Sequence, residues 1–351
     1  MQYATRIGIA NRSRQGGGTT FERIASVRYV RVVLFLLGVG GLAFLVARIG
    51  PDAVAAAFAE LRWWQFVLVC LPYGVIMIVD TLGWRYAFAR DTAPFHRLLG
   101  ARLAGDAVNV VTAMAAVGGE AVKAWLIRRD VSYEESVPAV VIAKTTITVA
   151  QALFLLVGIV VAWAALPMDS VVVRSMLWLL VIEVLAVGGF FLVQVVGLVG
   201  RGGKLLAALG VVEDAAYATR LDRALREFYW RDRRRLLLSV GFHLGGWLLG
   251  GLETYLMLVV LGVPVPLLTA IVIEAFGSAV RFATFLVPAS IGATEGANAA
   301  AFAALGFTSS AGLAFSLVRR GRQVVWIAIG LLTLVAMRSD VWLTRTRRSP
   351  A

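Results

Sequence analysis

The stretch AVGGEAVKAW, residues 116–125, decides how this chain is read. It places a carboxylate, Glu120, directly after Gly118 and Gly119 and three residues before Lys123, in an otherwise apolar region. A second stretch, VPASIGATEGANAAAF over residues 287–302, offers the same parts in Pro288, Gly292, Glu295 and Gly296, with Asn298 three residues after the carboxylate. Glycines free backbone groups and let chains approach closely. A helix starting at Gly118–Gly119 aims unpaired N–H groups at its neighbour, and such a terminus favours an anion such as phosphate. Glu120 in the first turn would offset that dipole. Against that bland role stands the cost of an ionisable group at membrane depth, which makes it a functional candidate.

Composition supplies the membrane. The chain has 351 residues, is 60% hydrophobic, and has a mean hydropathy of +0.81. Only 16% of residues are charged, against roughly 25% in soluble domains. A soluble protein of this length has too little surface for so much apolar area, so the class is an all-α polytopic membrane protein. The formal charge of +13 is spread in clusters between apolar runs. That pattern argues against nucleic acid and for cytoplasmic loops facing anionic lipid. Cys70 is the only cysteine, and His96 and His243 are the only histidines, so neither an intramolecular disulfide nor a metal site is expected. The segment GRGGKL around Lys204 resembles a P-loop but has Leu198 and Leu205 where that motif needs Gly and Ser or Thr. No ATP site, and no other cofactor, is expected.

A membrane span needs ~20 apolar residues. Six runs qualify or nearly so, at about 30–47, 64–84, 138–166, 171–199, 236–261 and 311–337. Trp63, Trp64, Trp84 and Trp163 fall near run ends, where amphipathic rings prefer the interface. Lys and Arg crowd the N-terminal tail, the segment after the second span, the loop of residues 200–235 and the C-terminal tail. The connections after the third and fifth spans carry none, so both termini are expected in the cytoplasm. The expected location is the cell inner or plasma membrane, with the chain crossing it several times.

Residues 95–121 and 267–307 are too apolar for loops yet are interrupted by glycine and proline. Irregular backbone at membrane depth is tolerated only where protein or a cavity surrounds it. Both regions therefore read as re-entrant helical hairpins, the first entering from the cytoplasm and the second from outside. Their placement suggests two inverted repeats. Arg85 precedes Glu120 by 35 residues (120 − 85), and Gly262 precedes Glu295 by 33 (295 − 262). Broken segments at corresponding positions of inverted halves are a transporter signature and point at the binding site. The division is a basic tail over 1–29, a transmembrane domain over 30–338 with repeats at about 30–166 and 171–338, and a basic tail over 339–351.

Other charges lie inside apolar runs. Glu274 and Arg281, seven apart on one helical face, are expected to pair or to face a cavity. Arg319 and Arg322 share a face while Arg320 points elsewhere; the three either snorkel to the outer interface or form a phosphate-binding cluster opposite Glu295. Lys144, Arg174, Glu183 and Glu253 read as internal ion pairs. Within residues 212–230, Leu221, Leu225 and Phe228 form an apolar helical stripe that either lies on the membrane or packs under the bundle.

The motifs NVVTAMAAVGGEAVKAWLIRR (109–129), FLVPASIGATEGANAAAFAALGF (285–307) and LAFSLVRRGRQVVWIAIG (313–330) resemble the signature regions of the transmembrane domain of lysylphosphatidylglycerol synthases. That domain also occurs alone in flippase-like proteins, and the stand-alone members associated with hopanoid biosynthesis look most similar. The resemblance covers about residues 34–337. It departs in the first motif, which lacks the proline that many relatives carry before the glycines. It implies a two-repeat fold that moves a phospholipid or related amphiphile, with an anionic headgroup, between leaflets. The family's synthase activity resides in a soluble domain after the membrane part, and the chain ends at Ala351, so aminoacyl transfer is not expected. Arg281 and Arg319 match arginines common in the family. The candidate substrate-binding residues are Asn109, Gly118, Gly119, Glu120, Lys123, Arg281, Pro288, Gly292, Glu295 and Arg319, with no catalytic residue. A lipid-modifying enzyme or a scaffold subunit of a lipid or hopanoid synthesis complex is the alternative, and the partners that follow are the lipid itself, a second copy of the chain, or lipid-synthesis proteins.

Overall fold

A computed structural model describes residues 62–91, 93–111, 118–165, 170–198 and 215–346, with Phe44, Ala47, Pro51 and Asp52 alone before them. The expected first span, most of the tails and the Lys204 segment lie outside these residues. The described residues form ten α-helices and no strand. They are α1 (Trp63–Tyr86), α2 (Phe95–Val111), α3 (Gly118–Leu126), α4 (Tyr133–Ala165), α5 (Val171–Val196), α6 (Ala215–Arg231), α7 (Arg233–Val260), α8 (Leu267–Ala283), α9 (Ala293–Ala304) and α10 (Ser309–Thr346).

Five of these, α1, α4, α5, α7 and α10, are long and apolar enough to cross a membrane, as the last five apolar runs predict. Their bounds follow the apolar runs closely, with α4 and α7 starting a few residues earlier in polar sequence. The Ser170 hydroxyl accepts from the Val173 N–H at the start of α5, and Gly197 ends that helix with φ of 76°. Apolar side chains face outward along these helices, as lipid exposure requires: Trp178 is 70% exposed and Leu332 is 70% exposed.

Three apolar clusters organise the bundle. One gathers the end of α1, the start of α2, the end of α3, the first turns of α4, the α6 stripe and Met337 of α10. A second, built from Val69, Leu258, Ala270, Phe302 and Phe315, joins the start of α1 to the end of α7, the start of α8, the end of α9 and the start of α10. The third ties the later half of α4 to α5 and α8. Each hairpin therefore begins and ends in one cluster: α2–α3 in the first, α8–α9 in the second. The helix α6 packs under the bundle, with Leu225 fully buried and Phe228 nearly so. Trp63 and Trp64 are exposed as expected of interface residues, but Trp84 is buried at 1% because the first cluster closes over it.

The hairpins lie against helices from the other half of the chain. In each hairpin the first limb does so: α2 packs along α10 and α8 along α4, while α9 packs on α10 of its own half. Small residues allow both contacts: Gly330 of α10 meets Leu103 and Ala107 of α2, and Gly158 of α4 meets Ala275 of α8.

Candidate functional site

Residues of both hairpins line one cavity of about 400 Å³. It is lined by Asn109, Glu120 and Lys123 from the first hairpin and by Arg281, Ala289, Thr294 and Glu295 from the second. Helices α1, α4, α7 and α10 complete the wall.

The first hairpin is held by close approach. Gly105 and Gly119 bring the backbones of α2 and α3 together; a Cβ on Gly119 would stand 2.0 Å from the Gly105 carbonyl oxygen. The N–H of Gly119 donates to Asn109 Oδ1 (2.8 Å), so this donor of the helix terminus is already satisfied from within the protein. Lys123 Nζ donates to Glu120 Oε1 at 3.1 Å and pairs with Asp106 Oδ1 at 2.8 Å. Arg102 links that pair onward, lying 3.6 Å from Asp106 and 3.0 Å from Asp80. Asp80 in turn meets His243 Nδ1 at 3.0 Å. A continuous polar chain thus runs from α7 through α1 and α2 to α3.

The second hairpin turns at a strained tip. Ala289 and Ser290 have positive φ (51° and 49°), which side chains other than glycine rarely adopt. Gly292 follows with φ of 81° as the N-cap of α9. Its N–H donates to Glu295 Oε2 at 2.7 Å, so Glu295 caps its own helix. Arg320 grips the whole tip. Its guanidinium donates to Glu295 Oε1 (2.7 Å), the Ala289 carbonyl (2.7 Å) and Thr294 Oγ1 (3.0 Å).

Farther along the wall, Glu274 is buried and takes both Arg281 (2.9 Å) and Arg319 (2.6 Å). Arg322 is paired with Glu253, a residue of α7. The expected Glu274–Arg281 pair is present. All three arginines line the cavity and each is paired there, Arg319 with Glu274, Arg320 with Glu295 and Arg322 with Glu253.

Six of the ten candidate residues line the cavity, Asn109, Glu120, Lys123, Arg281, Glu295 and Arg319; Gly118 and Gly119 open α3 beside it, and Gly292 caps α9. Pro288 sits in the short 3₁₀ turn of the second tip. Asn298 does not serve Glu295 as Lys123 serves Glu120; it donates instead to Ser316 Oγ at 2.8 Å. Of the four residues read as internal ion pairs, only Glu253 has an ionic partner among the described residues. Glu183 is fully buried on α5 with both carboxyl oxygens lacking a hydrogen-bond partner there. Arg102, read as part of a basic segment after the second span, is buried against Asp80 because α2 turns inward. Asp80, Arg102 and Asp106 carry no site role in the sequence reading, and Glu253 only that of an internal ion pair. Asp80 carried a usable signal, a lone carboxylate inside an apolar run.

These features define a class, an all-helical polytopic membrane protein with a charged interior cavity between two broken hairpins. The chain belongs to the family of lysylphosphatidylglycerol synthase transmembrane regions, whose model matches residues 30–330 and so takes in the whole cavity. It is similar to a UPF0104 membrane protein of Methanothermobacter thermautotrophicus, being 25% identical over 317 residues that cover 84% of this chain and 91% of the relative. No solved structure matches the chain.

Proposed function

We propose that this protein moves a phospholipid or related amphiphile between membrane leaflets, without aminoacyl transfer. The observation that carries the reading is the cavity lined by charged residues of both hairpins, with polar groups inside and apolar helix faces outside. A lipid headgroup needs such a polar path, because an unpaired charge in hydrocarbon costs several kcal/mol or more. The volume of about 400 Å³ lies within the range of roughly 300–1,000 Å³ common for small-molecule sites. Family membership supports a membrane role, and the packing of each hairpin's first limb on the opposite half's closing helix supports two inverted repeats that rock about the cavity. In this reading the tails and the basic end of the bundle face the cytoplasm of the cell membrane.

The test is reconstitution of the purified protein in vesicles carrying a fluorescent phospholipid in both leaflets. Bleaching the outer leaflet chemically then reports exchange. Protein-dependent bleaching beyond half of the signal is expected; protection of half the signal at every protein density rejects the reading.

A further inference from the structure

Every carboxylate that lines the cavity is already occupied. Asp80, Asp106, Glu120, Glu253, Glu274 and Glu295 each have a lysine or arginine within 3.1 Å. Against these six, the described lining holds seven cations, and the remaining one is Lys144 of α4. No ion pair or side-chain hydrogen bond engages its ammonium group among the described residues. The residue is open to the cavity, with Val140, Ala143 and Ile147 lining the same wall at helical spacing, so this face of α4 is turned inward. Its charged neighbours are Glu120, Lys123, Asp106 and Arg102, two of each sign.

The three basic residues first assigned to the headgroup stand differently. Lys123, Arg281 and Arg319 each hold a carboxylate at 2.9 Å or less. Drawing Lys123 to a ligand would take from Glu120 its one ion pair among the described residues, and drawing Arg281 or Arg319 would break one of the two pairs on buried Glu274, which is unfavourable where water is scarce. Lys144 has no such obligation. A lysine is a compact point charge on a flexible stem and places few demands on the orientation of its partner.

We infer that Lys144 receives the oxyanion of a singly charged headgroup, a phosphodiester with no compensating amine, while the neighbouring pairs stay closed. The inference rests on the lipid-transport reading and adds a selectivity to it. A monoanionic headgroup cancels the excess positive charge of the cavity, whereas a zwitterionic one leaves it in place.

The test compares wild-type protein with Lys144→Gln and Lys144→Arg. Binding of dioleoylphosphatidylglycerol, dioleoylphosphatidylcholine and inorganic phosphate is measured by native mass spectrometry, beside thermal stability. Wild type should prefer phosphatidylglycerol to phosphatidylcholine by about tenfold or more, a difference of ~1.4 kcal/mol. Lys144→Gln should lose that preference at unchanged melting temperature, and Lys144→Arg should keep most of it. Undiminished preference in Lys144→Gln overturns the assignment, as does loss of preference in Lys144→Arg when that variant is fully folded. Inorganic phosphate binding as tightly as phosphatidylglycerol overturns the lipid as the source of the anion. Lysine-dependent lipid preference in a protein that exchanges no lipid in vesicles would sustain this site and sink the transport reading, so the two fail separately.

Discussion

Arg320 donates to Glu295 across 2.7 Å and to the Ala289 carbonyl across 2.7 Å, so the last helix holds the strained tip of the second hairpin by a buried carboxylate and by its backbone at once. Glu295 is 1% exposed in its side chain, and Arg320 is 25% exposed. The pair thus joins two elements that must part if the cavity opens toward that side.

Replacing Glu295 by Gln keeps the size of the side chain but removes its charge. The bonds from Arg320 and from the Gly292 N–H then lose their ionic character, and hydrogen bonds to charged groups contribute roughly 1.5–3 kcal/mol each. Glu295→Gln should lower the melting temperature measurably and abolish lipid exchange. Wild-type exchange in that variant would leave Glu295 as a helix cap and nothing more.

The Asp80–Arg102 pair is buried on both sides, with side-chain exposures of 10% and 8%. Removing Asp80 leaves the buried Arg102 with Asp106 alone, 3.6 Å away, and breaking a buried pair costs about 3–5 kcal/mol. Asp80→Ala should therefore unfold at a clearly lower temperature, and adding Arg102→Ala should recover part of the loss. A single variant as stable as wild type would show that water reaches Arg102.

At Gly119 a Cβ would stand 2.0 Å from the Gly105 carbonyl oxygen and 2.4 Å from Asn109 Cγ. The two limbs of the first hairpin would have to separate, and overpacking of this kind destabilises by about 1–3 kcal/mol or more. Gly119→Ala should lower both stability and exchange. Gly296→Ala is the control: nothing lies within 4 Å of its Cβ position inside α9, so alanine is expected to be neutral or mildly stabilising there. Equal melting temperatures for the two variants would contradict the close approach.

Asp91 lies between α1 and α2, outside the membrane spans. A hydrogen bond from Arg235, with a second from Arg85, holds its carboxyl below the ordinary carboxylate range despite some burial. A group whose pKa is depressed by folding stabilises the fold above its ordinary value of 3.8 and stops doing so as the pH falls through the lower folded value. Asp91→Asn should be less stable than wild type at pH 7, and the two should converge on acidification below about pH 4. The difference will be small and sensitive to salt, because the side chain is 42% exposed. Parallel stability curves down to pH 2 would refute the linkage.

Much of this protein was legible before any coordinates. Mean hydropathy required a membrane, since that apolar area has no other place to go. Gly118–Gly119 and Pro288–Gly292 marked helix starts: α3 begins at Gly118, and α9 follows the Pro288–Ser290 turn with Gly292 as its N-cap. Pairs along one helix were also readable: Glu120 with Lys123 and Glu274 with Arg281 follow from which residues share a face. Pairs between helices were not. Asp80 with Arg102, Glu253 with Arg322, and Glu295 with Arg320 lie 22, 69 and 25 residues apart. Helical periodicity tells which side chains leave a helix together, but which face of another helix they meet is decided by packing. Here small residues such as Gly158, Gly330 and Gly105 let particular helices approach, and that choice brought the carboxylates to their arginines. The same packing left Lys144 open to the cavity with no carboxylate of its own.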